Sequence, residues 1–177
     1  MLEGKIVNLR IAQKDDVSLV AEWWKDLQYM GEHQDVMKIS RAKLKKVMLK
    51  DTIFFIIEKK NETKIGHISG WMRGRTMEIG YAVVPSERGR GYGTEAIQMI
   101  VDYLFLTKDI VRIQAPTGTR NIPSQKALET VGFTKEGTMR KLWYVRGEYR
   151  DMYLYSILRE EWKEPRILTD KCWNGAV

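Results

Sequence analysis

The pattern of hydrophobic and polar residues divides this chain into segments of strand and helix length. Residues 5–10 and 77–84 alternate between two kinds of side chain, which is the period of a strand. Residues 53–57 are apolar throughout, so we expect a strand that is buried on both faces. The same reasoning predicts further strands at residues 65–72, 110–115, 133–145 and 149–158.

Apolar residues at the spacing of one helix face predict four helices. The first begins near Asp16 and extends its apolar face to Leu27, and the second begins at Ser40, a favourable N-cap residue. The third follows Gly93, and the fourth spans residues 121–132. This order of elements predicts an α/β (α+β) fold with a mixed, mostly antiparallel central sheet flanked by helices.

Length and composition favour one soluble domain. We place it at residues 1–164, followed by a C-terminal tail at 165–177. No apolar run approaches the roughly 20 residues of a membrane span, and the start lacks the core of a signal peptide. We therefore expect the mature chain to begin near Met1. The single cysteine, Cys172, excludes an intramolecular disulfide and favours a cytoplasmic location.

The charge balance is basic, with 30 Lys and Arg against 23 Asp and Glu. Nucleic acid is one partner that such a surplus suggests, but the basic residues are scattered and form no tract of five. A phosphate-rich cofactor accounts for part of the surplus equally well. A metal site is not expected, because His33 and His67 are isolated and a site needs about three clustered ligands.

A glycine-rich turn joins the strand at 77–84 to the helix after Gly93. Glycines at 89, 91 and 93 let the backbone turn with its N–H groups exposed, and a helix N-terminus favours an anion. Arg88 and Arg90 add positive charge beside them. The spacing differs from the dinucleotide fingerprint, and the Gly-Lys-Ser/Thr ending of a P-loop is absent.

The pattern R-x-x-G-x-G at residues 88–93 resembles the acetyl-coenzyme A loop of the GNAT superfamily of N-acetyltransferases. Residues 121–133 are similar to the second motif of that superfamily, and the likeness covers the chain up to about Glu164. The Trp23-Trp24 pair and residues 147–162 look most like the branch of ribosomal-protein N-terminal alanine and serine acetyltransferases (RimJ/RimL-like). That branch has spermidine- and antibiotic-acetylating relatives.

The resemblance implies acetyl-coenzyme A as the cofactor. Its pyrophosphate is expected on backbone N–H groups of the glycine turn, and its pantetheine arm beside the end of the preceding strand. A backbone N–H near Val83 is expected to polarise the thioester carbonyl. The implied cofactor-binding residues are Val83, Val84, Arg88, Gly89, Arg90, Gly91, Tyr92, Gly93, Thr94, Asn121 and Ser124.

For the catalytic base we favour Glu78, which shares a strand face with the small residues Gly80 and Ala82. The alternative is a structural Glu78 bonded to a neighbouring strand or an arginine. A related branch of the superfamily has a glutamate at the position of Trp143, which leaves the assignment of the base open.

For the acid, Ser124 matches a family position near the cofactor sulfur, although the sequence also fits an ordinary helix-start serine. Many members use a tyrosine three residues later, where this chain has Ala127, so Tyr81 and Tyr144 stay open as alternatives. Asn121 is expected to cap its helix, to bond the cofactor arm, or both.

The expected acceptor is an amine, either a small molecule or a protein N-terminus. The residues assigned to its pocket are Glu32, His33, Asp35, Trp143 and Tyr144, although such a polar loop is also typical of a solvated surface. A homodimer is compatible with the resemblance, and neither membrane nor nucleic acid is expected as a partner. The alternative function is a catalytically silent module that binds coenzyme A or nucleic acid.

Overall fold

The computed structural model describes residues 1–31, 35–36 and 39–168, which form one eight-stranded sheet with helices on both faces. The expected α/β fold with a mostly antiparallel sheet is confirmed. The strands are β1 (Leu2–Glu3), β2 (Val7–Ile11), β3 (Ile53–Lys59), β4 (Lys64–Arg73), β5 (Thr76–Val83), β6 (Arg112–Gly118), β7 (Thr134–Val145) and β8 (Glu148–Leu158). The helices are α1 (Asp16–Trp23), α2 (Leu27–Met30), α3 (Arg41–Lys46), α4 (Tyr92–Thr107) and α5 (Ile122–Val131).

The sheet opens between β5 and β6. Its order is β1-β2-β3-β4-β5-β6-β8-β7, and the β5–β6 pair is parallel whereas the other pairs are antiparallel. β5 and β6 pair only from Thr76–Arg112 to Glu78–Gln114, and β5 then continues to Val83 without β6 beside it. The two halves of the sheet therefore diverge and leave a gap, which we call the central gap.

Because successive side chains of a strand point to opposite faces of the sheet, those of β5 pack into two different hydrophobic cores. Met77, Ile79 and Val83 belong to the core under α4 and α5, and Tyr81 packs against it. Ala82 instead packs against the smaller core under α1, α2 and α3. Each helix layer thus faces the central gap from its own side of the sheet.

The continuous apolar run of β3 is buried on both faces, as expected, because helices cover both sides of the sheet. Ser40 caps α3 by accepting a hydrogen bond from the Lys43 N–H at 3.2 Å. At the end of α5, Gly132 adopts φ 108°, the left-handed conformation that glycine tolerates best.

The first helix is shorter than the sequence predicts. The chain leaves α1 after Trp23 and starts α2 at Leu27, whose side chain is 54% exposed and not part of an inward face. The Asp26 side chain accepts a hydrogen bond from the Gln28 N–H at 2.8 Å and so caps α2. The apolar spacing therefore continues past the end of α1 into a second helix, α2, which begins at its own cap, Asp26.

The buried Asp16 carboxylate fixes the start of α1. It accepts hydrogen bonds from the Gln13 N–H at 2.8 Å, from Arg10 at 2.9 and 3.0 Å, and from Lys64 at 2.7 Å. Although burial opposes ionisation, the bonds to Arg10 and Lys64 together hold the pKa of Asp16 well below its usual range. The helix is thereby joined to β2 and β4.

A second buried carboxylate, that of Asp102 in α4, holds the chain beyond β8. It accepts hydrogen bonds from the Trp162 indole at 2.9 Å and from the backbone N–H groups of residues 166, 167 and 168 at 3.1, 2.9 and 3.2 Å. Leu168 is buried. The first residues of the segment expected to be a tail are therefore packed against α4, and residues 169–177 lie outside the described chain.

Replacing Asp102 by Asn is expected to lower the free energy of unfolding by about 2 kcal/mol, because a neutral amide accepts these hydrogen bonds less well. The melting temperature should fall by about 4 to 8 °C. The matched control is Asp109→Asn, since the Asp109 side chain is 89% exposed and contacts only Arg75, at 3.1 Å, among the described residues. Equal melting temperatures for the two variants would contradict a structural role for Asp102.

No helix among the described residues is long and apolar enough to cross a membrane.

Candidate active site

The end of β5 presents backbone groups to the central gap. The Val84 N–H donates to the Ile65 carbonyl of the β4 side at 2.8 Å, so the residues that alternate with it, Tyr81 and Val83, direct their backbone groups toward β6. The Val84 carbonyl accepts from the Glu87 N–H at 3.0 Å. The backbone of Val84 is thus bonded within the chain, while the backbone N–H of Val83 is directed toward the gap.

The glycine loop, residues 88–94, leads from the end of β5 into α4. Gly89 and Gly91 adopt φ values of 74° and 83°, which other residues rarely adopt. A Cβ atom on Gly89 would meet nothing within 4 Å, so the backbone there is open to a ligand. Because α4 begins at Tyr92, its first N–H groups point out of the helix beside these glycines. The loop therefore has the form of an anion cradle.

The two arginines of the loop behave differently. Arg90 is exposed and forms one ion pair, with Glu87 at 3.4 Å. Arg88 donates hydrogen bonds to the carbonyl oxygens of Val83 at 2.9 Å, Gln28 at 3.1 Å and Tyr29 at 2.7 Å. The guanidinium of Arg88 is therefore directed at backbone carbonyl oxygens.

Three hydroxyl groups meet across the central gap. The Ser124 Oγ atom, at the start of α5, lies 2.7 Å from the Tyr81 hydroxyl of β5 and accepts a hydrogen bond from Thr117 Oγ1 of β6 at 2.9 Å. Asn121 caps α5 by accepting from the Ser124 N–H at 3.3 Å. Burial raises the pKa of Tyr81 to about 12, against a smaller lowering by its hydrogen bond to Ser124. Tyr81 therefore stays protonated at neutral pH.

Glu78 lies at the closed end of the gap, in the last residue pair that joins β5 to β6. Its Oε2 atom accepts a hydrogen bond from Gln114 at 2.9 Å and lies 3.4 Å from Arg73 Nε. The space beside Gly80 is not open as expected, because a Cβ atom there would lie 3.5 Å from the ring of Trp71. Glu78 thus faces the layer of α1, α2 and α3, opposite the face of Tyr81.

The residues expected to bind the acceptor are only partly described. Glu32 and His33 lie outside the described residues, and Asp35 is exposed. Trp143 and Tyr144 are 40% and 55% exposed on the β7–β8 hairpin. In the turn of this hairpin, Arg146 donates a hydrogen bond to the Gly31 carbonyl at 2.8 Å.

A cavity of about 230 Å³ opens where β6 ends and β8 begins. Two basic and two acidic residues are among those that line it, and Trp143 and Tyr144 are not. The lining residues are Gly118, Thr119, Arg120, Val145, Glu148, Tyr149, Arg150, Asp151 and Met152.

Comparison with known proteins identifies this arrangement. Residues 7–134 match the family described as "Acetyltransferase (GNAT) domain". The chain belongs to the GNAT acetyltransferases. Over 170 residues it is 30% identical to "Uncharacterized N-acetyltransferase p20" of Bacillus licheniformis, covering 88% of this chain and 94% of the relative. It is also 28% identical over 104 residues to the uS5-alanine N-acetyltransferase of Escherichia coli, covering 58% and 54% of the two chains.

Solved structures show the same fold. A GNAT acetyltransferase from Bacillus anthracis superposes with a TM-score of 0.77 at 25% identity, covering 90% of this chain and 99% of the other. A spermidine N-acetyltransferase from Vibrio cholerae, in complex with CoA and spermine, superposes with a TM-score of 0.77 at 19% identity, covering 88% and 97%. This chain is thus an N-acetyltransferase in family and in fold.

Two residues of this acetyltransferase site were not found by sequence reasoning. Thr117 ends the hydroxyl cluster, but it looks like any alternating residue of a strand. Arg146 reaches Gly31 across 115 positions of sequence, and the sequence marks it only as a turn residue. Neither position carries a local signal, because both contacts depend on how the sheet brings distant segments together.

The acetyltransferase also buries a histidine beneath the site. His67 on β4 is stacked on Phe54 at 5.0 Å between ring centres, and its Nδ1 atom lies 2.7 Å from the Tyr29 hydroxyl. That hydroxyl also lies 3.3 Å from the Ala82 carbonyl of β5. Burial lowers the pKa of His67 to about 4, so the imidazole is neutral in the folded protein at neutral pH.

The stability of the acetyltransferase should therefore fall on mild acidification. The unfolded chain binds a proton at His67 below pH 6.5, whereas the folded protein does so only near pH 4. Between pH 7.5 and 5 the free energy of unfolding should drop by about 2 kcal/mol. Asp16 contributes almost nothing to the pH dependence of the unfolding free energy in this range, because its carboxylate is protonated only at lower pH. Urea unfolding at both pH values measures the change.

In His67→Gln the pH-dependent change in unfolding free energy should be largely absent, even if the variant is less stable at every pH. An unaltered pH dependence in this variant would assign the titration to another group and contradict the prediction.

Proposed function

We propose that this protein transfers the acetyl group of acetyl-coenzyme A directly to a primary amine, within a complex that holds both substrates. The observation that carries the proposal is the central gap between β5 and β6, which opens beside the glycine loop at the start of α4. A gap with unpaired strand backbone and an anion cradle at its edge suits a ligand that has an extended amide-containing arm and a pyrophosphate.

Acetyl-coenzyme A supplies the activated acetyl group as a thioester. The glycine loop would hold the pyrophosphate through N–H groups of residues 89–94, and Arg90, which is exposed and pairs with Glu87 at 3.4 Å, would add charge. The Val83 backbone, directed into the gap, would align the arm and donate to the thioester carbonyl. The Asn121 side chain caps α5 by accepting a hydrogen bond from the Ser124 N–H, and this bond holds Ser124 at the gap.

The hydroxyl cluster is our candidate for the acid. Ser124 would donate a proton to the departing thiolate, and Tyr81 at 2.7 Å would replace that proton through the short hydrogen bond. A tyrosine on β5 would in this way fulfil the role for which many relatives have a tyrosine at the position of Ala127. A cluster that joins β5, β6 and α5 also keeps the donor fixed during transfer.

Glu78 is our candidate for the base. It faces the α1–α3 side of the sheet, whereas Ser124 and Tyr81 lie on the α4–α5 side, so the two roles would be separated across the gap. The carboxylate would take the proton of the amine through a water, while Gln114 holds it in place at 2.9 Å.

The acceptor class that we favour is a protein N-terminus, ahead of a polyamine or an aminoglycoside-like amine. The relative from Escherichia coli is named for an alanine of ribosomal protein uS5, and the neighbour from Vibrio cholerae for spermidine. The cavity at the end of β6 carries acidic and basic side chains together, which suits a peptide better than a purely cationic amine. The lone cysteine is compatible with a reducing cytoplasm as the place of action.

The test is calorimetric titration with coenzyme A, followed by thiol-release assays of acetyl-coenzyme A with a panel of amines. The panel contains peptides with free Ala or Ser N-termini, spermidine and an aminoglycoside. Saturable binding and turnover of one class would support the proposal. Absence of binding would contradict it, and binding without turnover on any amine would favour a silent coenzyme A module instead.

A further inference from the structure

Residues 26–31, which we call the strap, run between the glycine loop and the β7–β8 turn. The strap contains the short helix α2 and ends at Gly31. It is internally bonded, since the N–H groups of Met30 and Gly31 donate to the carbonyls of Asp26 and Leu27 at 3.0 and 2.9 Å. The segment that follows it contains residues assigned to the acceptor.

Arg88 holds the strap from the cofactor side. Its Nη2 atom donates to the Tyr29 and Gln28 carbonyls at 2.7 and 3.1 Å, while Nε donates to the Val83 carbonyl at 2.9 Å. One planar guanidinium thus joins two consecutive residues of the strap to the end of β5, a geometry that a lysine cannot reproduce. The Tyr29 hydroxyl adds a second link, at 3.3 Å from the Ala82 carbonyl.

Arg146 holds the far end of the strap. Arg146 belongs to the β7–β8 turn and donates to the Gly31 carbonyl at 2.8 Å. β5 and the β7–β8 hairpin lie on opposite arms of the sheet, which diverge at the central gap. The strap therefore spans the mouth of the gap, with one arginine at each end.

We propose that Arg88 is a positioning residue for the acceptor side of the site and not a ligand of the cofactor phosphates. Arg88 fixes the strap against β5, and the strap, through Gly31 and Arg146, fixes the β7–β8 hairpin over the gap. The inference rests on the proposed function for its kinetic test. It assigns the two loop arginines to different substrates, since Arg88 donates to three backbone carbonyls whereas Arg90 pairs with the Glu87 side chain at 3.4 Å.

The matched pair of variants is Arg88→Gln and Arg90→Gln, which remove the same charge two residues apart in the same loop. The acceptor used is the amine that the parent enzyme acetylates fastest in the panel. In Arg88→Gln the KM for this acceptor should rise about tenfold. Its Kd for coenzyme A should stay within about twofold. In Arg90→Gln the Kd for coenzyme A should rise about threefold, with the acceptor KM unchanged. Arg146→Gln should reproduce the effect of Arg88→Gln, and Arg88→Lys should restore only part of it.

Amide hydrogen exchange gives a readout that needs no turnover. Exchange at Met30 and Gly31 should accelerate in Arg88→Gln and in Arg146→Gln but not in Arg90→Gln. Unchanged exchange in Arg88→Gln would overturn the inference whether or not the protein is active. The inference would also be overturned if Arg88→Gln lost affinity for coenzyme A and kept its acceptor KM. If the parent enzyme still bound coenzyme A and acetylated an amine, the proposed function would stand. A parent that binds no coenzyme A would refute the proposed function instead.

Discussion

Gly91→Glu should reduce the affinity for coenzyme A by about 100-fold or more, and with it the rate at limiting acetyl-coenzyme A. Gly91 precedes α4 with φ 83°, and a carboxylate at this position would occupy the anion cradle with negative charge. The parent protein at 100 times its Kd should gain about 2.7 kcal/mol, a rise in melting temperature of about 5 to 10 °C. The variant should show almost no rise.

The control for this experiment is Gly74→Glu in the β4–β5 turn. Gly74 also has a positive φ, of 65°, and a Cβ atom there meets nothing within 4 Å. Gly74→Glu thus introduces the same charge and a similar backbone strain away from the glycine loop, and it should keep the full shift with coenzyme A. A Gly91→Glu variant that remains folded and still shifts like the parent would show that the cofactor binds elsewhere.

Ser124→Ala should lower kcat by about 100-fold, because the departing thiolate would lose its proton donor. Tyr81→Phe should lower kcat by about tenfold, since Ser124 keeps its bond from Thr117 at 2.9 Å but loses the 2.7 Å contact that supplies the proton. In both variants the Kd for coenzyme A should change by less than about threefold, as the glycine loop is untouched. Steady-state kinetics and calorimetry measure the two quantities separately.

Tyr155→Phe is the matched hydroxyl deletion outside the gap. The Tyr155 hydroxyl donates to Glu129 at 2.7 Å on the outer side of α5, so its removal should leave kcat within about twofold. Full activity in Ser124→Ala would remove Ser124 from the mechanism. A larger loss in Tyr81→Phe than in Ser124→Ala would make the tyrosine the direct donor.

The fold was predictable because its signals are local. The continuous apolar run of β3, the cap at Ser40 and the left-handed Gly132 each follow from a few neighbouring residues, and the structure contains all three. The glycine loop belongs to the same class, because glycine readily adopts the positive φ values found at Gly89 and Gly91. The first helix was predicted too long because the apolar spacing continues to Leu27, whereas Asp26 caps the start of a separate helix there.

The site was less predictable because its contacts join residues that lie far apart in the sequence. Several residues of the same chemical type could also have made each contact. Arg88 and Arg90 carry the same charge two residues apart, yet Arg88 donates hydrogen bonds to carbonyls of the strap and Arg90 pairs with Glu87. The pairing of Tyr81 with Ser124 depends on the divergence of β5 from β6, which no residue pattern specifies. The bond from the Val84 N–H to the Ile65 carbonyl depends in the same way on strand register, which no local pattern specifies.

The bonds to Asp102 have a consequence for synthesis of the protein. The donors at Trp162 and residues 166–168 are translated after every other element of the fold, whereas their acceptor lies in the helix that begins at the glycine loop. A nascent chain that has completed β8 would therefore carry α4 with a carboxylate that lacks most of its partners. A released chain truncated after residue 160 should bind coenzyme A less well than the parent, because α4 would lack the residues beyond β8 that donate to Asp102.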